Sequence, residues 1–160
     1  MNMYSNLNVG DLLYRSKGVV EHAGVYLGSN EVLHIQPGRR LVKVPFEQYA
    51  NGKSVSVKRQ KIDQQGFAKR LSEVSQVGGV YCPISNNCEH TAHYLTSGKR
   101  VSPQLQVALG FGFLGGMIAS KGEASRFAIG AGLLGLGALI VSNANRRHDF
   151  VVDPKLPSIN

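Results

Sequence analysis

Residues 18–36 read GVVEHAGVYLGSNEVLHIQ, and this stretch constrains the chain more than any other. Its first part alternates in polarity and is rich in β-branched residues, which predicts a strand over 18–28. Ser29-Asn30 reads as a two-residue turn, residues 31–36 return as a second strand, and Pro37-Gly38 stops it. Successive side chains of a strand point to opposite faces. His22, Gly24 and Tyr26 therefore share one face, while Ala23, Val25 and Leu27 share the other. On the returning strand Val32 and His34 share a face, as do Leu33 and Ile35. A hairpin turning at 29–30 lays the strands side by side. His22 and His34 then come within reach of one imidazole-to-imidazole hydrogen bond, in a register that the turn length sets.

The remainder of the first hundred residues extends this pattern. VGDLLYRS reads as an early strand, RRLVKVPFEQYA as a short strand with a turn or helical start, and KSVSVKRQK as a strand with Val55 and Val57 on one face. Residues 63–77 place Phe67, Leu71 and Val74 at helical spacing, with Asp63 as N-cap. A further helix is expected to begin at Cys88, capped by Asn86 or Asn87, and to end near Ser97 with Gly98 as its left-handed stop.

The start of that helix, NNCEHTAHYL, concentrates a cysteine, an acid and two histidines within six positions. A cysteine in the first turn feels the helix dipole and unpaired amides, which favour the thiolate and predict a lowered pKa. A nucleophile needs a base and the base an orienter. His22 fits the first role and His34 the second. The same residues also fit a small buried cysteine with two satisfied histidines. A metal reading uses His90 and His93, three apart on one helix face, but Cys88 and His93 point to different faces and no second close-spaced ligand pair exists. No metal and no cofactor is expected.

The formal charge is +8, and the densest basic stretch runs from Arg39 to Arg70. Such a surface suits an anionic membrane, or is a solvated face. It lacks the interleaved aromatics that stack on bases, so no nucleic acid is expected. The first residues have neither a basic nor an apolar region, which excludes a secretory signal reading. Cys82 and Cys88 match neither a redox nor a zinc pattern, which fits a reducing, cytoplasmic compartment.

HAGVYLG followed by VLHIQPG, and then NNCEHTAHYLTSGK, resembles the histidine-box and Asn-Cys signatures of the lecithin retinol acyltransferase-like family, which includes the HRAS-like suppressor phospholipases and acyltransferases. The resemblance covers roughly residues 9–100. It implies an α+β fold: a circularly permuted papain-like domain in which an antiparallel sheet carrying the histidines precedes the nucleophile helix. It implies Cys88 as nucleophile, His22 as general base and His34 as orienting member, with Tyr26, Glu89 and His90 in supporting positions. The chain departs from the pattern at Ala23 and Thr91, where many relatives carry aromatics. The resemblance further implies acyl transfer or lipid acyl hydrolysis through a thioester, with a lipid or other acyl donor as substrate. A cysteine peptidase or amidase, and a non-catalytic interaction protein on the same scaffold, are the alternatives.

Composition changes near residue 100. Ten glycines lie between Gly98 and Gly137, mostly within the apolar runs 107–120 and 127–142. As helices these runs span about 21 and 24 Å, short of a hydrocarbon core of roughly 30 Å. Glycines spaced along each let two helices approach closely. The expected organisation is a domain over 1–104, a glycine-rich helical hairpin over 105–145, and a basic then polar tail over 146–160. The hairpin is expected to enter or lie in a membrane, with Lys99, Arg100, Arg146 and Arg147 on its cytoplasmic side. A soluble glycine zipper, including one that joins a second copy into a homo-oligomer, is the competing arrangement.

Overall fold

The computed structural model describes residues 4, 6–18, 20–35, 41–77, 88–99, 103–120 and 123–154. Within them the chain is α+β, with a six-stranded antiparallel sheet and five helices. In chain order these are β1 (Leu12–Lys17), β2 (Val20–Gly28), β3 (Glu31–Ile35), β4 (Leu41–Pro45), α1 (Phe46–Ala50), β5 (Val55–Lys58), α2 (Gln64–Val77), α3 (Cys88–Ser97), α4 (Pro103–Ser120), α5 (Ala124–Ala144) and β6 (Phe150–Val152). The sheet order is β4-β3-β2-β1-β5-β6. The chain divides into two compact units, one holding the sheet with α1–α3 and the other holding α4 and α5.

The hairpin of 18–36 forms through β2 and β3. Ser29 and Asn30 both take positive φ, 49° and 65°, the geometry of a two-residue turn whose twist matches the strands it joins. Val25 then faces Leu33 and Tyr26 faces Val32, with an irregularity between Tyr26 and Gly28. Alternation along the strands sorts the core into two clusters. Leu13, Tyr26, Val32, Val55 and Val57 pack on one face with Phe46 and Tyr49 of α1. Leu12, Tyr14, Ala23, Val25 and Leu33 pack on the other with Phe67, Ala92 and Leu95 of α2 and α3.

Helix boundaries follow local chemistry. The Asp63 carboxylate accepts a hydrogen bond from the Gly66 amide at 2.9 Å, which caps α2 as expected. Helix α3 closes at Gly98, whose φ is 74° and whose amide bonds the Tyr94 carbonyl, a stop that favours glycine. The proposed caps Asn86 and Asn87, together with Cys82, Arg100 and Pro37-Gly38, lie outside the described residues.

Two features differ from the sequence reading. Residues 146–160 are not only a polar tail, because Phe150–Val152 returns to the sheet and pairs with β5, Val57 opposite Phe150 and Val55 opposite Val152. Three residues are too few to show periodicity, so only pairing reveals this edge strand. Asp149 fixes its start. The Asp149 amide bonds the Val57 carbonyl at 2.8 Å, and its carboxylate accepts from the Arg59 amide at 2.7 Å.

The helices α4 and α5 also outrun the apolar runs. With 18 and 21 residues they extend about 27 and 31 Å. By length and composition, α5 from Ala124 to Ser142 is long and apolar enough to cross a membrane. The two helices pack through small residues. A Cβ at Gly112 would stand 3.1 Å from the Ala131 carbonyl oxygen, and one at Gly135 would stand 3.1 Å from that of Ala108. Backbone approaches backbone there, which larger residues would prevent. The outward side chains remain apolar, with Ile118 69% and Leu133 71% exposed.

Strand β6 changes what a deletion should do. Replacing 103–146 by a flexible Gly/Ser linker is expected to leave a folded sheet. Ending the chain at 104 removes β6 as well and should lower the melting temperature by several degrees relative to the linked variant, as the loss of about 1 kcal/mol or more does in a domain of this size. Differential scanning calorimetry of the two variants checks this. Equal melting temperatures would show that β6 contributes nothing.

Candidate active site

The site grows from the open end of the β2–β3 hairpin. His22 on β2 and His34 on β3 are both buried, 5% and 4% exposed. His22 Nε2 and His34 Nδ1 lie 2.8 Å apart, and the rings meet edge to face at 86°. The imidazole pair expected from period-2 geometry therefore forms. One proton lies between the two nitrogens, and its owner fixes both tautomers. If His22 donates, its Nδ1 keeps a lone pair and His34 carries its proton on Nε2. If His34 donates, His22 carries a proton on Nδ1 and cannot act there as a base. His34 Nε2 is buried without a hydrogen-bond partner among the described residues.

Cys88 is the first residue of α3 and is a free thiol. Its Sγ accepts a hydrogen bond from the Ala23 amide at 3.4 Å, so the helix start sits against β2 beside His22. The thiol packs with the Ala23 face of the sheet, whereas both imidazoles lie against Tyr49, in the cluster on the other face. Among the described residues no hydrogen bond joins Cys88 to either imidazole. The structure thus unites the two histidines with each other, and the cysteine with the backbone next to the first of them.

Electrostatics set the resting protonation. Burial pushes the Cys88 thiol up from its ordinary value; the Ala23 amide opposes that, the Glu89 carboxylate adds to it, and the amides of Glu89 and Cys88 oppose it. The expected lowering is overturned here. The amides act in the anticipated sense, but taking a thiolate out of water costs more. Burial likewise pushes His22 down to about 3, helped by His34, Arg15 and Lys17. His34 falls to about 4 through burial and the same two cations. At neutral pH the site holds a thiol and two neutral imidazoles rather than an ion pair.

This protonation state has a measurable signature. The rate of Cys88 alkylation by iodoacetamide is expected to climb through the alkaline range, with its midpoint above that of an ordinary thiol. A plateau already reached at pH 6 would instead demonstrate a resting thiolate.

The supporting positions divide. Glu89 is buried directly beside Cys88, and His90 is half-buried on the same turn. Tyr26 is turned to another task, because its hydroxyl accepts a hydrogen bond from the Asn30 amide at 3.2 Å and so braces the hairpin turn. No cluster of three or more potential metal ligands occurs among the described residues.

Tyr49 of α1 was not singled out by sequence. Its ring stacks on His22 at 5.7 Å between centroids and meets His34 at 5.4 Å. A signal was present in Gly24, since a glycine inside a strand marks a close approach. A Cβ at Gly24 would lie 2.8 Å from Cε2 of Tyr49. Arg15 of β1 stands above the same ring, its guanidinium carbon 5.6 Å from the centroid. The half-buried guanidinium keeps positive charge beside both histidines. No family model matches the chain, and no curated protein matches it.

Proposed function

We propose that this protein is a cysteine-dependent acyltransferase or lipid acyl hydrolase that works at a membrane through a thioester, on a circularly permuted papain-like fold. The observation that carries the reading is the buried His22–His34 pair, hydrogen-bonded at 2.8 Å, next to a cysteine that opens a helix and bonds the adjacent backbone amide. The histidine strands precede the cysteine helix, the chain order that the resemblance implies.

In this mechanism His22 takes the Cys88 proton as sulfur attacks the carbonyl of an ester. Backbone amides at the start of α3 hold the oxyanion. The C–O bond breaks, His22 returns the proton to the departing alkoxide, and the acyl group remains on sulfur. Water or an acceptor hydroxyl or amine then gives its proton to His22 and attacks the thioester carbonyl; the C–S bond breaks, the acyl group leaves on the acceptor, and His22 returns the proton to the Cys88 sulfur. Since the resting thiol is protonated, proton transfer belongs to the attack itself. Because the thiol packs with Ala23 and the imidazoles with Tyr49, this mechanism requires the Cys88 side chain to swing into hydrogen-bond reach of His22 when substrate binds; its charge already acts on Tyr49, the ring against which both imidazoles lie. The apolar, exposed surfaces of α4 and α5 supply the membrane attachment. The basic stretch beginning at Arg39 adds attraction to anionic headgroups.

The separation of thiol and imidazole supports one other reading, a non-catalytic binding protein on the same scaffold. Intact-mass spectrometry after exposure to phospholipid vesicles separates the two. An acyl mass that maps to Cys88 and vanishes in Cys88→Ser is the expected result. If no adduct forms and activated esters are also left uncleaved, the enzyme reading fails. Cleavage of amides but not of esters would make the protein an amidase.

A further inference from the structure

We propose that Tyr49 is the positioning residue of the histidine pair, fixing the backbone and ring of His22 so that its Nε2 stays turned to His34 and its Nδ1 stays turned away from it. The inference rests on the reading of His22 as general base and adds the residue through which the fold orients it.

Four contacts converge on this side chain. Its hydroxyl lies 2.7 Å from the His22 carbonyl oxygen and 2.9 Å from that of Leu13. The single hydroxyl proton is thus shared between β1 and β2 at the residue that carries the base. Its ring lies nearly parallel to His22, at 28°. An imidazole exchanges the places of Nδ1 and Nε2 by turning half a revolution about its Cβ–Cγ bond. A ring stacked on its face obstructs that sweep, and the turn would also break the 2.8 Å bond to His34. The same tyrosine ring meets His34 at 66°, so both members of the pair rest on one rigid surface.

A hydrophobic core position does not account for this arrangement. Tyr49 is 1% exposed, and a buried hydroxyl needs only one partner. Gly24 leaves the space that lets the ring reach β2. Burial holds the hydroxyl well above its ordinary pKa, which keeps it a neutral donor around pH 7. Phenylalanine would preserve the stacked ring and remove the tether, whereas leucine would remove both.

The test uses the full-length protein, with Tyr49→Phe and Tyr49→Leu compared against the parent. Nitrogen-15 spectra of labelled histidine report which ring nitrogens of His22 and His34 carry protons. Acyl transfer is read with p-nitrophenyl acetate: the Cys88 sulfur takes the acetyl group, its proton passes to His22, and p-nitrophenolate leaves as a visible burst. The parent is expected to show His22 protonated on Nε2 alone. Tyr49→Leu should show mixed tautomers and a burst slowed about 10- to 100-fold. Tyr49→Phe should fall between them while keeping the far-ultraviolet spectrum of the parent. Parental tautomers and burst rates in a folded Tyr49→Phe and Tyr49→Leu would overturn the proposal; should the leucine variant not fold, the phenylalanine variant decides. If the parent shows no burst, the enzyme reading fails on its own, and the nitrogen-15 spectra still decide whether Tyr49 sets the tautomer.

Discussion

Replacing His22 with alanine is expected to slow acylation of Cys88 by about 10²- to 10⁴-fold, the range that a positioned general base supplies. The reason lies in the resting protonation. Because burial raises the Cys88 thiol, little thiolate exists at neutral pH, and in the proposed mechanism the imidazole removes the proton during attack. An enzyme with a resting ion pair would respond differently, since its thiolate fraction would itself collapse on loss of the histidine. Here the alkylation midpoint of Cys88 should move little in His22→Ala while acyl transfer falls sharply. His34→Ala should cost less, because His34 reaches the reaction only through the 2.8 Å bond that sets the tautomer of His22. Burst kinetics with an activated ester, measured on both variants, rank the roles. A larger loss in His34→Ala than in His22→Ala would exchange them.

Acid should destabilise the folded protein as pH falls below about 6.5. Both histidines are buried and held neutral, with folded pKa values pushed down to about 3 for His22 and about 4 for His34. In the unfolded chain each protonates near pH 6.5. Between pH 6.5 and about pH 4 the unfolded state therefore binds more protons than the folded state, and stability falls as pH falls. Above pH 6.5 neither state binds a proton at these sites, and their contribution is fully present. Each histidine removes roughly 1.4 kcal/mol per pH unit in that window. At pH 5 the pair together costs about 4 kcal/mol, a large part of an ordinary domain's stability of about 5–15 kcal/mol. Urea unfolding at pH 5 and pH 7 measures the difference directly. His34→Asn should halve the slope, since one of the two titrating rings is gone. A stability that is flat from pH 7 to pH 5 would mean that the rings are hydrated rather than buried.

Much of the site was legible because it rests on local rules. The alternation of 18–36 and the Ser29-Asn30 turn put His22 and His34 within reach of each other on one side, while the register stayed open; the 2.8 Å bond is fixed by the fold. Asp63 as a cap and Gly98 as a stop were readable for the same reason, as each satisfies backbone groups within four residues of itself. The sense in which helix-start amides act on Cys88 also followed from local structure.

What sequence could not supply depends on residues far apart in the chain. Desolvation of Cys88 comes with its packing against a cluster that holds Ala23, Val25 and Leu33, residues more than fifty positions away, and it outweighs the opposing amides, so the sign of the pKa shift is a tertiary property. Tyr49 reaches the histidines only because α1 folds back across the sheet and Gly24 leaves room for it. The strand Phe150–Val152 exists only as a partner of β5, across about ninety residues. Periodicity and capping act over one or two turns of chain and are written in neighbouring residues. Burial, stacking and edge pairing depend on which distant surfaces meet, and that is decided by the fold as a whole.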